Sequence, residues 1–242
     1  MNKSDLLKFI ELYNLGGFVP SVKLVSDSES LSTSFISDDR TLAGSVSVSS
    51  IKLEKGEYGI FDTAQLKKML GVLEDNIEII VNKIENRVIS LSITDNSTDS
   101  VFMLADLSVI PAAPKVKEIK TYDVEIPIDD NFIDKFTRAK NALPDVNTFT
   151  LINNKKGKME LVIGYSSIAT NRIKLDVAPI SGKDKLEEPI SFNADYFREI
   201  LNKNKGATGA VYKVAAAGIS NVSFKTNDYE SNYFLIQKKI DN

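Results

Sequence analysis

Three pairs of adjacent carboxylates, Asp38-Asp39, Asp129-Asp130 and Glu187-Glu188, are the residues of this chain best suited to acid–base work or to holding a divalent cation. Successive residues of a strand point to opposite faces, so neighbours in sequence do not converge on one substrate. Asp129 also stands where a helix needs an N-cap, and all three pairs read as turns or caps. The chain has no His and no Cys. That excludes Ser-His-Asp and Cys-His nucleophile systems, thiolate metal sites and disulfides, and leaves carboxylate-only catalysis and Mg²⁺ or Ca²⁺ binding open. Neither a G-x-x-x-x-G-K-[ST] phosphate loop nor a G-x-G-x-x-G turn occurs. No catalytic residue, metal or cofactor is therefore expected.

The other chemistry on offer is phosphate contact by cations. Lys8, Lys67, Lys68, Lys135, Arg138, Arg198 and Lys203 fall on the polar faces of segments with helical periodicity, and Lys205 lies just past the end of one. Acids occur there too, at Glu11, Asp134 and Glu199, so these faces lean basic without being uniformly so. Few Asn, Gln or Arg side chains are spaced to read base edges. Such faces suit holding phosphates without reading sequence; taken alone, they equally suit solvated helix surface.

The elements that position these cations are legible. Ile60-Phe61-Asp62-Thr63-Ala64-Gln65 reads as a strand end running into a helix, with Asp62 as N-cap and Gln65 at the capping-box position. Leu66, Met69, Leu70 and Leu73 form an apolar stripe, Lys67 and Lys68 point away from it, and Asn76 is expected to close the helix. Helices are also expected from about Ser4, which can cap it, to Gly16-Gly17; from Asp129 to a stop before Pro144; and from Asn193 onward. Short alternating segments rich in Val, Ile, Ser and Thr fill the intervals as strands, with a hairpin turn at Glu85-Asn86 and another from Asn153 to Lys158.

Aligning the helix starts exposes a repeat. Phe61-Asp62, Ile128-Asp129 and Phe192-Asn193 are each an apolar strand end plus an Asx cap. Leu66, Ile133 and Phe197 follow four residues after the cap; Met69, Phe136 and Ile200 follow seven after it. Three strands follow each helix, including the first, whose leading strand is very short. The chain is thus close to four β-α-β-β-β units. Two units must pack together to bury an apolar helix stripe and an apolar sheet face, which makes an α+β protein of two similar domains with helices on antiparallel sheets. Pro111 and Pro114 oppose helix and central strand, so domains are expected at 1–110 and 122–242, joined by a connector at 111–121.

With 242 residues, 43% of them hydrophobic and 26% charged, the composition is that of a soluble globular protein, and a net charge of −3 excludes a globally basic one. No apolar run approaches the ~18–20 residues that span a bilayer, and Met1 to Asp5 lacks a signal-peptide core, so no membrane association and a cytoplasmic setting are expected.

In three stretches the chain resembles a DNA polymerase sliding clamp, most of all that of T-even-type tailed bacteriophages. These are Ile60 to Ile79, the Ala105-Asp106 to Pro114 region, and Phe192-Asn193 to Gly206 continuing to Tyr233-Phe234-Leu235-Ile236. The resemblance is least over residues 14–50. It implies a non-enzymatic processivity factor: a homotrimeric ring whose helices face duplex DNA, which tethers the replicative DNA polymerase and is opened by a clamp loader ATPase. It further implies an apolar pocket for partner peptides, formed by Val109, Ile110 and Pro111 with Phe234, Ile236 and Ile240. A virion structural or assembly protein and a monomeric processivity factor are the alternatives.

Overall fold

Asp62, Asp129 and Asn193 each begin a helix because their side-chain oxygens accept from the first free N–H groups of the turn. The computed structural model describes residues 1–85, 87–114, 119, 121–153, 158–166, 170–182 and 186–238. Its helices are α1 (Lys3–Asn14), α2 (Thr63–Leu70), α3 (Asp130–Ala142) and α4 (Ala194–Lys203). Contacts divide the chain into two units: Met1–Asp38 with Gly44–Pro114 and Asn227–Ser231, and Asp39–Ala43 with Lys115–Thr226 and Asn232–Asn242.

In the first unit, β1 (Val22–Ser26), β2 (Leu31–Ile36), β3 (Leu42–Val48) and β4 (Gly56–Ile60) run in the order β4-β1-β2-β3. A second sheet has the order β5 (Glu78–Ile84), β6 (Arg87–Thr94), β7 (Asp99–Met103). In the second unit, β9 (Thr148–Asn153), β10 (Met159–Ile163), β11 (Ile173–Val177) and β12 (Ile190–Asn193) run β11-β10-β9-β12. The other strands there are β8 (Val124–Ile128), β13 (Ala210–Ala215), β14 (Ile219–Lys225) and β15 (Tyr229–Ile236), in the order β15-β14-β13-β8. All the registered pairings are antiparallel.

One rule governs these orders. The strand leading into a helix pairs with the first strand after the other helix of its unit. Thus β4, leading into α2, pairs with β1. Likewise β12, leading into α4, pairs with β9, and β8, leading into α3, pairs with β13. The leader of α1 is reduced to Met1-Asn2, yet it keeps the rule. Asn2 bridges Asn76, the Ile77 amide donates to the Met1 carbonyl at 3.0 Å, and the Lys3 amide donates to the Asp75 carbonyl at 2.7 Å, just ahead of β5.

That pairing corrects two expectations. Asn2, not Ser4, is the N-cap residue of α1: strand-like bridging holds Asn2 extended, so the helix starts at Lys3 and takes Ser4 into its first turn. Asn76 does not close α2. The helix ends at Leu70, where the Gly71 amide donates to the Lys67 and Lys68 carbonyls, and Asn76 serves the bridge to Asn2. Leu15 closes α1 in the left-handed region, with Gly16 (φ 74°) and Gly17 (φ 107°) completing the reversal. Asn86 and residues 154–157 of the two expected hairpin turns lie outside the described residues.

The apolar stripes become core as anticipated. Leu66, Leu70 and Leu73 are buried, and Met69 is half-buried. In the second unit the core is aromatic and centred on Phe197, whose ring lies 5.0 Å from Phe136, 4.8 Å from Phe149 and 4.6 Å from Tyr212. Aromatic pairs at such separations add roughly 0.5–1.5 kcal/mol each beyond area burial. In the β5-β6-β7 sheet, register puts Val81, Leu91 and Phe102 on one face. Ile80, Val101 and Met103 are on the other, where they stay exposed.

Two local constraints yield tests. A Cβ at Gly59 would lie 2.4 Å from the Ala105 carbonyl oxygen, where β4 bridges Ala105. Backbone cannot yield as a side-chain tip can, so Gly59→Ala is expected to cost about 2–3 kcal/mol in urea unfolding. Asp95 accepts from the amides of Glu74, Ser97 and Thr98, which pins the loop after α2 to the β6–β7 turn. These bonds hold its carboxyl at about 2, below the usual 3.8. A depressed carboxylate stabilises the fold above its unfolded pKa, and that contribution disappears as pH falls from near 4 through 2. Thermal melts of wild type and Asp95→Asn should therefore converge over that window.

Candidate nucleic-acid interface

Within each unit the two helices pack side by side, α1 with α2 and α3 with α4. The expected caps fix where each begins. Asp62 Oδ1 accepts from the Gln65 amide at 2.8 Å, Asp129 Oδ1 from the Phe132 amide at 2.7 Å, and Asn193 Oδ1 from the Asp195 and Tyr196 amides at 2.9 and 3.1 Å.

In the second unit three links join the antiparallel helices in sequence. Lys205 pairs with Asp134 at 2.7 Å, Thr137 Oγ1 donates to Asn202 Oδ1 at 2.8 Å, and Arg198 Nη1 donates to Asn141 Oδ1 at 3.3 Å. Asp134 raises the Lys205 ammonium above its ordinary pKa, through their hydrogen bond and then through charge. Arg198 also meets Glu199 at 3.3 Å and Asp195 at 3.7 Å. Beneath this face lies a residue that sequence reading missed. Lys140, 1% exposed, reaches Asp195 at 3.0 Å and donates to the Pro144 carbonyl at 2.9 Å. Its place in the apolar periodicity of α3, next to Ala139, was the available signal.

The basic residues therefore fall into two groups. Lys68, Lys135 and Arg138 are exposed and have no carboxylate partner among the described residues; Arg138 Nε donates only to the Asp134 carbonyl, at 3.3 Å. The others are engaged. Lys67 lies 3.7 Å from Glu11, Arg198 and Lys205 are paired as above, and the Lys8 ammonium sits 5.4 Å from the centre of the Tyr229 ring. Lys203 is half-buried and engaged as well.

Two of the carboxylate pairs have structural duties. Asp39 accepts from the Thr41 amide at 3.1 Å and from its hydroxyl at 2.9 Å, and Asp129 caps α3. Glu187 and Glu188 line a cleft of about 420 Å³ with Leu186, Pro189, Ile190, Ala216 and Gln237. Among the described residues no cluster of three acids is placed to hold a metal.

Of the residues expected to dock partner peptides, Val109 ends a 3-10 turn, Leu107–Val109, and is 55% exposed; Ile110 is buried and Pro111 exposed. They belong to the first unit. Phe234 and Ile236, in β15, belong to the second, where Phe234 is half-buried, Ile236 is 46% exposed, and the Ile236 amide donates to the Thr41 carbonyl at 2.9 Å. Ile240 lies outside the described residues.

No family model matches this chain, and no curated protein matches it in sequence. Solved structures do match. A. fulgidus PCNA, in a structure with the C-terminal region of FEN-1 bound, superposes with a TM-score of 0.73 at 15% identity, covering 100% of this chain and 98% of the other. Proliferating cellular nuclear antigen from Entamoeba histolytica gives 0.71 at 14%, covering 98% and 96%. The chain has the PCNA-like sliding-clamp fold: two α+β domains of antiparallel sheets and packed helices.

The pair formed by Lys140 and Asp195 gives a test of how the helix face is held. Removing one partner of a fully buried pair costs about 3–5 kcal/mol, and partial exposure of Asp195 lowers this to about 2 for Lys140→Ala. Chemical unfolding of that variant against wild type measures it.

Proposed function

We propose that this protein is a DNA sliding clamp, a processivity factor that encircles duplex DNA and tethers a replicative DNA polymerase. The observation that carries the reading is the doubled helix pair on a PCNA-like fold spanning the whole chain, with exposed cations on the helix faces. Lysine and arginine on smooth helix faces hold phosphates without reading bases, which lets a ring slide. The protein performs no chemistry of its own; a separate clamp loader ATPase opens the ring.

Closure is best served by three copies, because two clamp-type domains per chain then supply six around the ring. The edges of the sheets support this. β7 pairs only with β6 and β11 only with β10 among the described residues, so each unit has an end strand with an open edge at these places. Exposed edges of this kind seek another strand. Partner docking belongs to the same reading. A. fulgidus PCNA binds the C-terminal region of FEN-1, and here Val109, Ile110, Pro111, Phe234, Ile236 and Ile240 are the proposed seat for such peptides. Resemblance to T-even-type phage clamps makes the host cytoplasm the setting. Among the described residues no helix is long and apolar enough to cross a membrane.

Two measurements test the proposal. Light scattering at high micromolar concentration should give three times the chain mass of 26.7 kDa; a monomer throughout would favour a non-ring processivity factor. Synthesis by the cognate polymerase on circular primed DNA should lengthen only when clamp, loader and ATP are all present. Unchanged product length would refute the clamp role.

A further inference from the structure

The two helix pairs present unlike faces. On α2 the exposed stripe carries Gln65 and Lys68, and Phe61 (60% exposed) and Val72 (71%) lie just beyond the two ends of the helix. Lys68 is the one cation on that stripe; Lys67 beside it is matched by Glu11, and the Lys8 ammonium rests on the Tyr229 ring. On α3 the exposed stripe carries Lys135 and Arg138, three residues apart and therefore neighbours on the helix surface. Asp134, the carboxylate beside them on the helix, is already occupied by Lys205.

Paired cations contribute little to holding a polyanion. A phosphate that draws Lys205 away leaves the Asp134 carboxylate bare beside it, so attraction gained at one atom is lost at the next. The same holds for Lys67 with Glu11, and more strongly for Arg198, which has two carboxylates and an amide around it. Counterion release follows the net neutralising charge brought to the phosphates, which here is that of the unmatched cations.

We infer that phosphate contact is carried chiefly by Lys135 and Arg138 on α3 of the second unit, and that the first unit contributes less, chiefly through Lys68. This rests on the clamp reading. In a ring of three copies the duplex would then be held chiefly through the second unit of each chain.

The test is titration of a short labelled linear duplex with the full chain, by fluorescence anisotropy across a range of salt. The double variant Lys135→Gln/Arg138→Gln should lose about tenfold in affinity at low salt and reduce the salt slope by about 0.9 per phosphate contact removed. Lys68→Gln should lose about threefold or less. Asp134→Asn, which frees Lys205, should bind more tightly than wild type, a gain that no structural lesion produces. Thermal melting establishes that each variant is folded. A loss for Lys68→Gln equal to that of the double variant, no loss for a folded double variant, or no gain for Asp134→Asn overturns the inference while leaving the clamp reading intact. Wild type that shows no salt-dependent duplex binding overturns the inference, while polymerase synthesis with clamp, loader and ATP decides the clamp reading separately.

Discussion

Reciprocal strand exchange within each unit is the constraint on which the rest of this architecture depends. Each leading strand completes the sheet that follows the other helix of its unit: β4 on β1, β12 on β9, β8 on β13, and Met1-Asn2 ahead of β5. No β-α-β-β-β segment is therefore self-contained. A helix with one apolar stripe cannot bury it on a sheet that lacks its closing strand, so two units fold as one. The same exchange fixes the helices. The end of a leader is the start of a helix, so pinning Ile60, Ile128 and Asn193 into neighbouring sheets sets where α2, α3 and α4 begin and brings each pair side by side.

Placement of charge follows from that packing. Where α3 and α4 lie antiparallel, their facing polar residues interlock as Asp134 with Lys205, Thr137 with Asn202 and Asn141 with Arg198. Each contact is exposed and individually weak, as surface ion pairs and hydrogen bonds are. Together they restrict sliding of one helix past the other and neutralise much of the charge that sequence alone assigns to the surface. What remains outward is sparse.

Much of the fold was legible in the sequence because its signals are local. Asp62, Asp129 and Asn193 satisfy amides within three residues of themselves, and the spacing of Leu66, Ile133 and Phe197 is set by helical periodicity alone. The misreading at Ser4 comes from a pairing between Asn2 and Asn76 that no local window contains, whereas α2 stops short of Asn76 at the turn closed by the Gly71 amide. The interface was legible in part for the same reason. Periodicity placed Lys67, Arg198 and Lys205 on polar helix faces or just past them, correctly, but their partners Glu11, Asp195 and Asp134 become partners only through packing. Lys140 was overlooked because a lysine counts as surface until a structure supplies a carboxylate and a carbonyl in the interior. The exposed Ile80, Val101 and Met103 face depends on the register of three strands, which sequence does not state.

The pairing of β8 with β13 has a consequence for how the protein is made. Ile128 lies opposite Ala210, so the first strand of the second unit finds its neighbour only once the last third of the chain exists. Met1 and Asn2 wait similarly for the segment around Asn76. Contacts between residues so distant in sequence form slowly, and emergence from the ribosome delays them further. During synthesis β8 is an apolar strand with no sheet to join, and α3 has only β9, β10 and β11 beside it. The exposure to misassembly therefore lasts from the emergence of β8 until the arrival of β13.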